Sequence, residues 1–142
     1  MHTSADPHNL QRFVEAQAPV YESVISELRA GRKRSHWIWF IFPQITGLGH
    51  SPTAQYFAIH SLSEARAYIE HPILGPRLRE CAELVNRIEG SAIHGIFGSP
   101  DDMKFRSSMT LFSQGTGDNA VFLAALQKYF DGNPDPQTLE RI

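Results

Sequence analysis

Apolar residues recur at the three- and four-residue spacing of amphipathic helices along most of the chain. Pro, Ser and Asp residues suited to starting a helix precede these stripes, and glycines follow several of them. The predicted helical segments are 6–17, 19–30, 51–59, 61–71, 76–88, 99–112 and 118–130, with a short one from Asp135-Pro136. The pattern therefore predicts a mainly α protein.

Two of these segments carry distinct start signals. Ser61 and Glu64 have the spacing of a capping box, in which both side chains bond to backbone N–H groups at the start of a helix. Ser99, which precedes Pro100 and two acidic residues, is the predicted N-cap of segment 99–112. On that prediction, Ser99→Ala lowers the free energy of unfolding by about 0.5–2 kcal/mol.

The apolar run Trp37–Phe42 holds both tryptophans and is the one candidate for a strand. Periodicity does not distinguish a short buried strand from a buried helical turn, so both structures stay open for this run. We expect one compact domain over residues 1–142, with six to eight helices packed around this central aromatic segment. Residues 1–6 are expected to form a flexible N-terminus.

The composition is typical of one folded domain, because 42% of the 142 residues are hydrophobic and 20% are charged. The net charge of -2 provides no basic field that would draw the chain onto nucleic acid. The single cysteine, Cys81, excludes an internal disulfide and indicates a reducing compartment. No apolar run approaches the roughly 20 residues of a membrane span, and no signal peptide is evident. We therefore expect a cytoplasmic protein with no membrane partner.

The aromatic run and the residues around it are candidates for a ligand platform. Trp37 or Trp39 could stack on a base, and Gln44 offers both a donor and an acceptor to a base edge. Alternatively the rings only fill the core, since consecutive residues cannot all face one ligand. The basic cluster at 32–36 could bind phosphate, or could be a solvated helix end.

A second candidate constellation lies at the start of segment 99–112. Asp101, Lys104 and Ser108 stand at positions i, i+3 and i+7, so they share one helical face. A carboxylate, an amine and a hydroxyl on one face can transfer protons and bind sugar hydroxyls. Alternatively Asp101 and Lys104 form an ordinary surface pair, and Asp102 complements the helix dipole.

Metal and nucleophile chemistry have little support in the sequence. The seven histidines show no spacing typical of zinc sites, so we expect no metal and no other cofactor. Cys81 lies on an apolar helical stripe, and the chain lacks a Gly-x-Ser-x-Gly elbow. Both observations argue against a Cys or Ser nucleophile.

The order of motifs resembles domain-of-unknown-function family 1810, whose bacterial members are often labelled calpastatin. The matching blocks include Glu27-Leu28-x-x-Gly31-x-Lys33, His36-Trp37-x-Trp39-Phe40-Ile41-Phe42-Pro43-Gln44, Gly47-Leu48-Gly49, Ile96-Phe97-Gly98-Ser99-Pro100-Asp101-Asp102-x-Lys104 and Ser107-Ser108-Met109-Thr110-Leu111-Phe112. Lys33 and His36 are retained as candidates because they fall within these blocks. True calpastatins are disordered repeats, so we do not expect protease inhibition from this repeat-free chain.

The resemblance implies a remote relationship to the NADAR group, whose members resemble N-glycosidases acting on ribosylated bases or ADP-ribosylated guanosine. It implies hydrolysis of an N-glycosidic bond in a nucleotide-like small molecule, through an oxocarbenium-like state that a carboxylate stabilises. Asp101 or Asp102 is the first choice for the catalytic carboxylate, and Glu15 the second. The candidate ligand-binding residues are Lys33, His36, Trp37, Trp39, Gln44, Lys104 and Ser108. A non-catalytic module that binds ADP-ribose or a protein is the alternative, and RNA binding is the third hypothesis; the oligomeric state stays open.

Overall fold

Ten α-helices follow one another along residues 6–142, the part of the chain that the computed structural model describes, and no strand occurs there. They are α1 (Gln11–Gln17), α2 (Tyr21–Arg29), α3 (Ile38–Ile41), α4 (Pro52–Tyr56), α5 (Leu62–Glu70), α6 (Leu74–Arg87), α7 (Ile93–Phe97), α8 (Asp101–Gly115), α9 (Ala120–Phe130) and α10 (Pro136–Arg141). The mainly α class is confirmed, and helices of four to six residues raise their number above the expected six to eight. None of the helices in these residues is long and apolar enough to cross a membrane.

The expected flexible N-terminus lies outside the described residues, except for Asp6. The carboxylate of Asp6 accepts hydrogen bonds from the backbone N–H groups of Leu10 and Gln11, at 2.7 and 3.0 Å. Asp6 therefore satisfies N–H groups at the start of α1, as the Asp-Pro start signal indicates.

The aromatic run is a helical turn and not a strand, because α3 occupies Ile38–Ile41. The turn buries four of its six side chains and leaves Trp39 and Phe40 half-buried, as a helical period requires. Four rings then form one aromatic cluster with centroid distances of 4.9 to 6.3 Å, those of Trp37, Phe42, Phe97 and Phe105. This cluster joins α3 to α7 and α8.

Helix α8 is the centre of the fold, since it packs against α5, α7, α9 and α10. Two buried hydroxyl groups of α8, those of Ser107 and Thr110, bond to Asp135. The hydroxyl groups of Ser107 and Thr138 both donate to the carboxylate of Asp135 at 2.6 Å, and the Asp135 N–H donates to Thr110 Oγ1 at 2.8 Å. Burial would raise the pKa of Asp135, but these hydrogen bonds outweigh it and lower the pKa. The ionised Asp135 fastens α10 onto α8.

The predicted N-cap at Ser99 is wrong. Pro100 is the N-cap residue of α8, which begins at Asp101 and has no side-chain cap. The N–H of Asp102 donates to the carbonyl of Gly98 at 2.9 Å, and that of Met103 to the carboxylate of Asp102 at 2.8 Å. The N–H groups of Asp102 and Met103 therefore have acceptors in the first turn without a serine hydroxyl.

The capping box at Ser61 is confirmed in its main contact, because Ser61 Oγ accepts the N–H of Glu64 at 3.1 Å. Helix α4, in contrast, ends at Tyr56 and not at residue 59. Ile59 leaves the helix because it forms a parallel β-bridge with Ile45. This bridge holds the loop after Pro43 against the end of α4.

A buried ion pair ties the N-terminal helix to the body of the protein. Arg12 on α1 and Glu64 on α5 are both buried, and their charged groups lie 2.8 Å apart. Arg12 also donates to the carbonyl oxygens of Tyr56 and Ala58 at 2.9 Å. One guanidinium therefore joins α1, α5 and the end of α4.

Candidate functional site

The carboxylate of Glu27 holds the loop after α2 in place. It accepts hydrogen bonds from the backbone N–H groups of Arg34 and Ser35, the Ser35 hydroxyl and the indole N–H of Trp37, at 2.6 to 3.0 Å. Burial alone would raise the pKa of Glu27, but these hydrogen bonds favour the charged form and lower it. The ionised Glu27 fixes both the path of the loop and the orientation of Trp37.

Asp101 lies between two lysine side chains. Lys33 Nζ is 2.8 Å from Asp101 Oδ2, and Lys104 Nζ is 3.6 Å from Asp101 Oδ1. The exposed fractions of the Lys33 and Asp101 side chains are 7% and 18%, so their ion pair is largely shielded from water. The Lys33 N–H donates to the carbonyl of Ile96 at 2.8 Å, which anchors the loop on α7. Two segments that are distant in the sequence meet at this carboxylate.

Each of the two lysines also lies over a tryptophan ring. Lys33 Nζ is 5.3 Å from the ring centroid of Trp37, and Lys104 Nζ is 5.0 Å from that of Trp39. Such cation–π contacts are worth about 0.5–2 kcal/mol, depending on their shielding from water. Trp37 is buried and Trp39 is half-buried, so Trp39 is the more accessible of the two rings.

Gln44 lines a narrow cleft together with Trp39, Gly49 and Phe57. The cleft has a volume of about 10 Å³, which is room for about one water molecule. The cleft is therefore too small for an aromatic ligand in this conformation. Lys104 lies over Trp39, which lines the cleft, but among the described cavities none is lined by Gln44, Asp101 and Lys104 together.

A second cavity, which we call the basic cavity, adjoins Lys33. It has a volume of about 460 Å³ and is lined by Arg32, Lys33, His94, Gly95, Ile96, Phe97 and Gly98. His94 Nδ1 lies 3.4 Å from Asp102 Oδ2, and the Asp102 side chain is 15% exposed. Both aspartates at the start of α8 are therefore paired with cavity-lining residues.

No hydrogen bond or ion pair among the described residues joins the other predicted site residues to Asp101. His36 is exposed on the loop, and Glu15 is exposed on α1. Ser108 is completely buried, and its Oγ has no hydrogen-bond partner within residues 6–142. The proposed roles of these three residues stay predictions.

Two residues that contact the predicted site, Glu27 and His94, were not identified from the sequence. Glu27 lies in the last turn of α2, shortly before the basic residues at 32–36. A carboxylate so near a basic segment could have been recognised as a contact of that segment. No comparable signal indicates His94, because its contact with Asp102 depends on how the short helix α7 packs against α8.

A larger cavity of about 690 Å³ contains none of the predicted site residues. It lies between the start of α1 and the end of α5, and its lining includes Asp6, Glu70 and His71. The Asp6 carboxylate already accepts two N–H groups, and His71 Nδ1 accepts those of Ile73 and Leu74 at 3.1 and 3.3 Å. Because these groups are engaged at helix ends, the cluster around Asp101 is the stronger candidate site.

Comparison with known proteins assigns this helical domain, with its lysine-flanked carboxylate, to a family. The family model described as Protein of unknown function (DUF1810) matches residues 7–142, and the chain belongs to that family. Its structure is similar to the crystal structure of the conserved hypothetical protein Rv1873 from Mycobacterium tuberculosis, determined at 1.38 Å. The two share 58% sequence identity and a TM-score of 0.94 over 95% of this chain and 96% of that chain. Comparison with curated proteins finds no match.

Proposed function

We propose that this protein hydrolyses the N-glycosidic bond of a nucleotide-like or ADP-ribose-like substrate, with Asp101 as the central catalytic carboxylate. The observation that carries the proposal is the placement of Asp101. Its carboxylate is largely shielded from water and lies between two ammonium groups, one of which lies over the half-buried ring of Trp39. The remote relationship to the NADAR group that the sequence motifs imply favours the same reaction class.

The two oxygens of Asp101 have different surroundings, which suits a divided role. Lys33 holds Oδ2 at 2.8 Å, whereas Lys104 is 3.6 Å from Oδ1 and is the more exposed of the two lysines. Oδ1 is therefore the less closely held oxygen, and we assign it the position facing the anomeric carbon. A carboxylate in a shielded site stabilises the positive charge that develops on the ribose in the transition state.

Asp102 is suited to activate the attacking water, with His94 as its neighbour. As the water oxygen bonds to the anomeric carbon, the carbon–nitrogen bond breaks and its electron pair passes to the base. Nicotinamide leaves NAD as a neutral ring, and a base that leaves an uncharged N-glycoside takes up a proton from solvent. The water proton passes to the Asp102 carboxylate, from which His94 can carry it to solvent. Trp39 stacks on the departing base.

The activity test compares wild type with Asp101→Asn, using ADP-ribosylated nucleosides and NAD as substrates and chromatography to detect the released base. We expect wild type to release the base and Asp101→Asn to be slower by about 100-fold or more. Asp118→Asn is the matched control, because it makes the same chemical change at an exposed carboxylate. Unfolding curves of both variants show whether the loss reflects chemistry or folding.

A non-catalytic binding module is the second candidate, and the short Lys33–Asp101 ion pair favours it. At 2.8 Å from the ammonium group, this carboxylate oxygen is already engaged within the protein and is not available to a substrate. Under this alternative, wild type binds ADP-ribose in calorimetry but releases no base from any substrate. Turnover that is equal in wild type and Asp101→Asn would contradict the assignment of Asp101.

A further inference from the structure

The basic cavity differs in charge from the two aspartates beside it, Asp101 and Asp102. Its lining contains three basic residues, Arg32, Lys33 and His94, and no carboxylate. Asp101 and Asp102 are bound to Lys33 and His94 but are not part of the lining. Arg32 is therefore the basic lining residue that is not paired with an acidic group among the described residues.

Arg32 is the residue that most clearly lacks a structural explanation. It is exposed, and its guanidinium forms no ion pair or hydrogen bond with the residues that the structure describes. Arg34, two residues further along, is also exposed but does not line the cavity. A guanidinium presents a planar set of donors that matches the oxygens of a phosphate group.

Two glycines in the cavity lining, Gly95 and Gly98, leave space beside them. A Cβ atom added at Gly95 or Gly98 would meet no other atom within 4 Å, so both glycines face free space. The volume of about 460 Å³ lies within the range of about 300–1,000 Å³ that is usual for small-molecule sites. The cavity therefore has room for a group larger than a single water molecule.

From these observations we infer that the basic cavity is a phosphate subsite, and that the substrate is a nucleotide carrying a 5′-phosphate or diphosphate rather than an unphosphorylated nucleoside. The inference rests on the proposed function for the position of the ribose. Lys33 lines the cavity and bonds to Asp101 at 2.8 Å, so a phosphate bound there places the attached ribose beside the catalytic carboxylate. The phosphate supplies binding energy remote from the bond that breaks.

The binding test uses inorganic pyrophosphate and ADP-ribose as probes in titration calorimetry, without any turnover. We expect both probes to bind wild type, and Arg32→Gln to weaken their binding by about 10-fold or more, as the loss of a charge-assisted contact does. Arg34→Gln is the matched control, because it removes the same charge from the same loop outside the cavity. It should change binding by less than about 3-fold.

A second variant tests the space rather than the charge. Gly95→Leu should weaken pyrophosphate binding without lowering the unfolding temperature, because the added side chain enters the open cavity. The inference is overturned if wild type does not bind pyrophosphate, or if Arg34→Gln weakens binding as much as Arg32→Gln. Adenosine binding as tightly as ADP-ribose would overturn it as well.

The two proposals fail separately. If Arg32→Gln but not Arg34→Gln weakens pyrophosphate binding and no base is released, the phosphate subsite is supported and the hydrolase activity is contradicted. Equal turnover of phosphorylated and unphosphorylated substrates would contradict the phosphate subsite and support the hydrolase activity.

Discussion

At the scale of single residues, Trp37 connects the core to the candidate site. Its ring packs against Phe42 and Phe97, its indole N–H donates to Glu27, and Lys33 lies over its face. A change at this position should therefore alter both the stability of the fold and the position of Lys33.

We predict that Trp37→Ala lowers the free energy of unfolding by about 3–5 kcal/mol, because it removes a large buried ring and leaves a cavity. Urea denaturation followed by circular dichroism measures the change. Trp37→Phe should cost less, since it keeps most of the apolar volume and removes one hydrogen bond to Glu27. A midpoint near that of wild type for Trp37→Ala would contradict the burial of this ring.

Cys81 offers a second test at this scale. The residue is completely buried, and burial raises the pKa of its thiol to about 12. We predict that native protein at pH 8 does not react with an aromatic disulfide reagent within minutes, whereas protein in concentrated urea releases one equivalent of the coloured thiolate. Rapid reaction of the native protein would show that α6 opens readily.

At the scale of elements, α5 and α6 approach each other closely at Gly75. A Cβ atom there would overlap the backbone carbonyl oxygen of Ile69, which cannot move like a side chain. We predict that Gly75→Ala lowers the free energy of unfolding by about 1–3 kcal/mol. Gly117→Ala is the control, because a Cβ atom at Gly117 meets nothing within 4 Å. Equal thermal midpoints for the two variants would contradict this account.

The starts of α5 and α8 allow a direct comparison of two serines. Ser61 Oγ accepts the N–H of Glu64, whereas Ser99 caps nothing. We predict that Ser61→Ala lowers the free energy of unfolding by about 0.5–2 kcal/mol, and that Ser99→Ala changes it by less than about 0.5 kcal/mol. Urea denaturation of both variants tests the difference, and a larger effect at Ser99 would contradict it.

The longer helices could be predicted from the sequence because each buries an apolar stripe with helical spacing, as α6 and α9 do. The five residues of α7 are too few to show a period, and α3 is too short to be distinguished from a strand. At the site, Asp101 and Lys104 could be paired from their spacing of three residues. The contact of Asp101 with Lys33 could not, because it depends on how the loop after α2 packs against α7 and α8.

At the scale of the whole molecule, the buried pair of Arg12 and Glu64 joins three helices. Removing one partner leaves the other charge buried without compensation. We predict that Glu64→Gln lowers the free energy of unfolding by about 3–5 kcal/mol. Glu70→Gln, at an exposed position on the same helix, should have an effect below about 0.5 kcal/mol. Urea denaturation measures both, and equal effects would show that Arg12 finds other partners.

Under the proposed binding of a nucleotide at the basic cavity, the bond between Lys33 and Asp101 would link ligand occupancy to the stability of the folded chain. A molecule bound on both sides of this bond would contact the loop after α2 and the start of α8 at once, so neither segment could detach without releasing it. Because such a ligand binds only the folded chain, each tenfold rise in its free concentration above the dissociation constant adds about 1.4 kcal/mol to the free energy of unfolding. Cells rich in the ligand would then degrade this protein more slowly than cells that lack it, with no change in its sequence or synthesis.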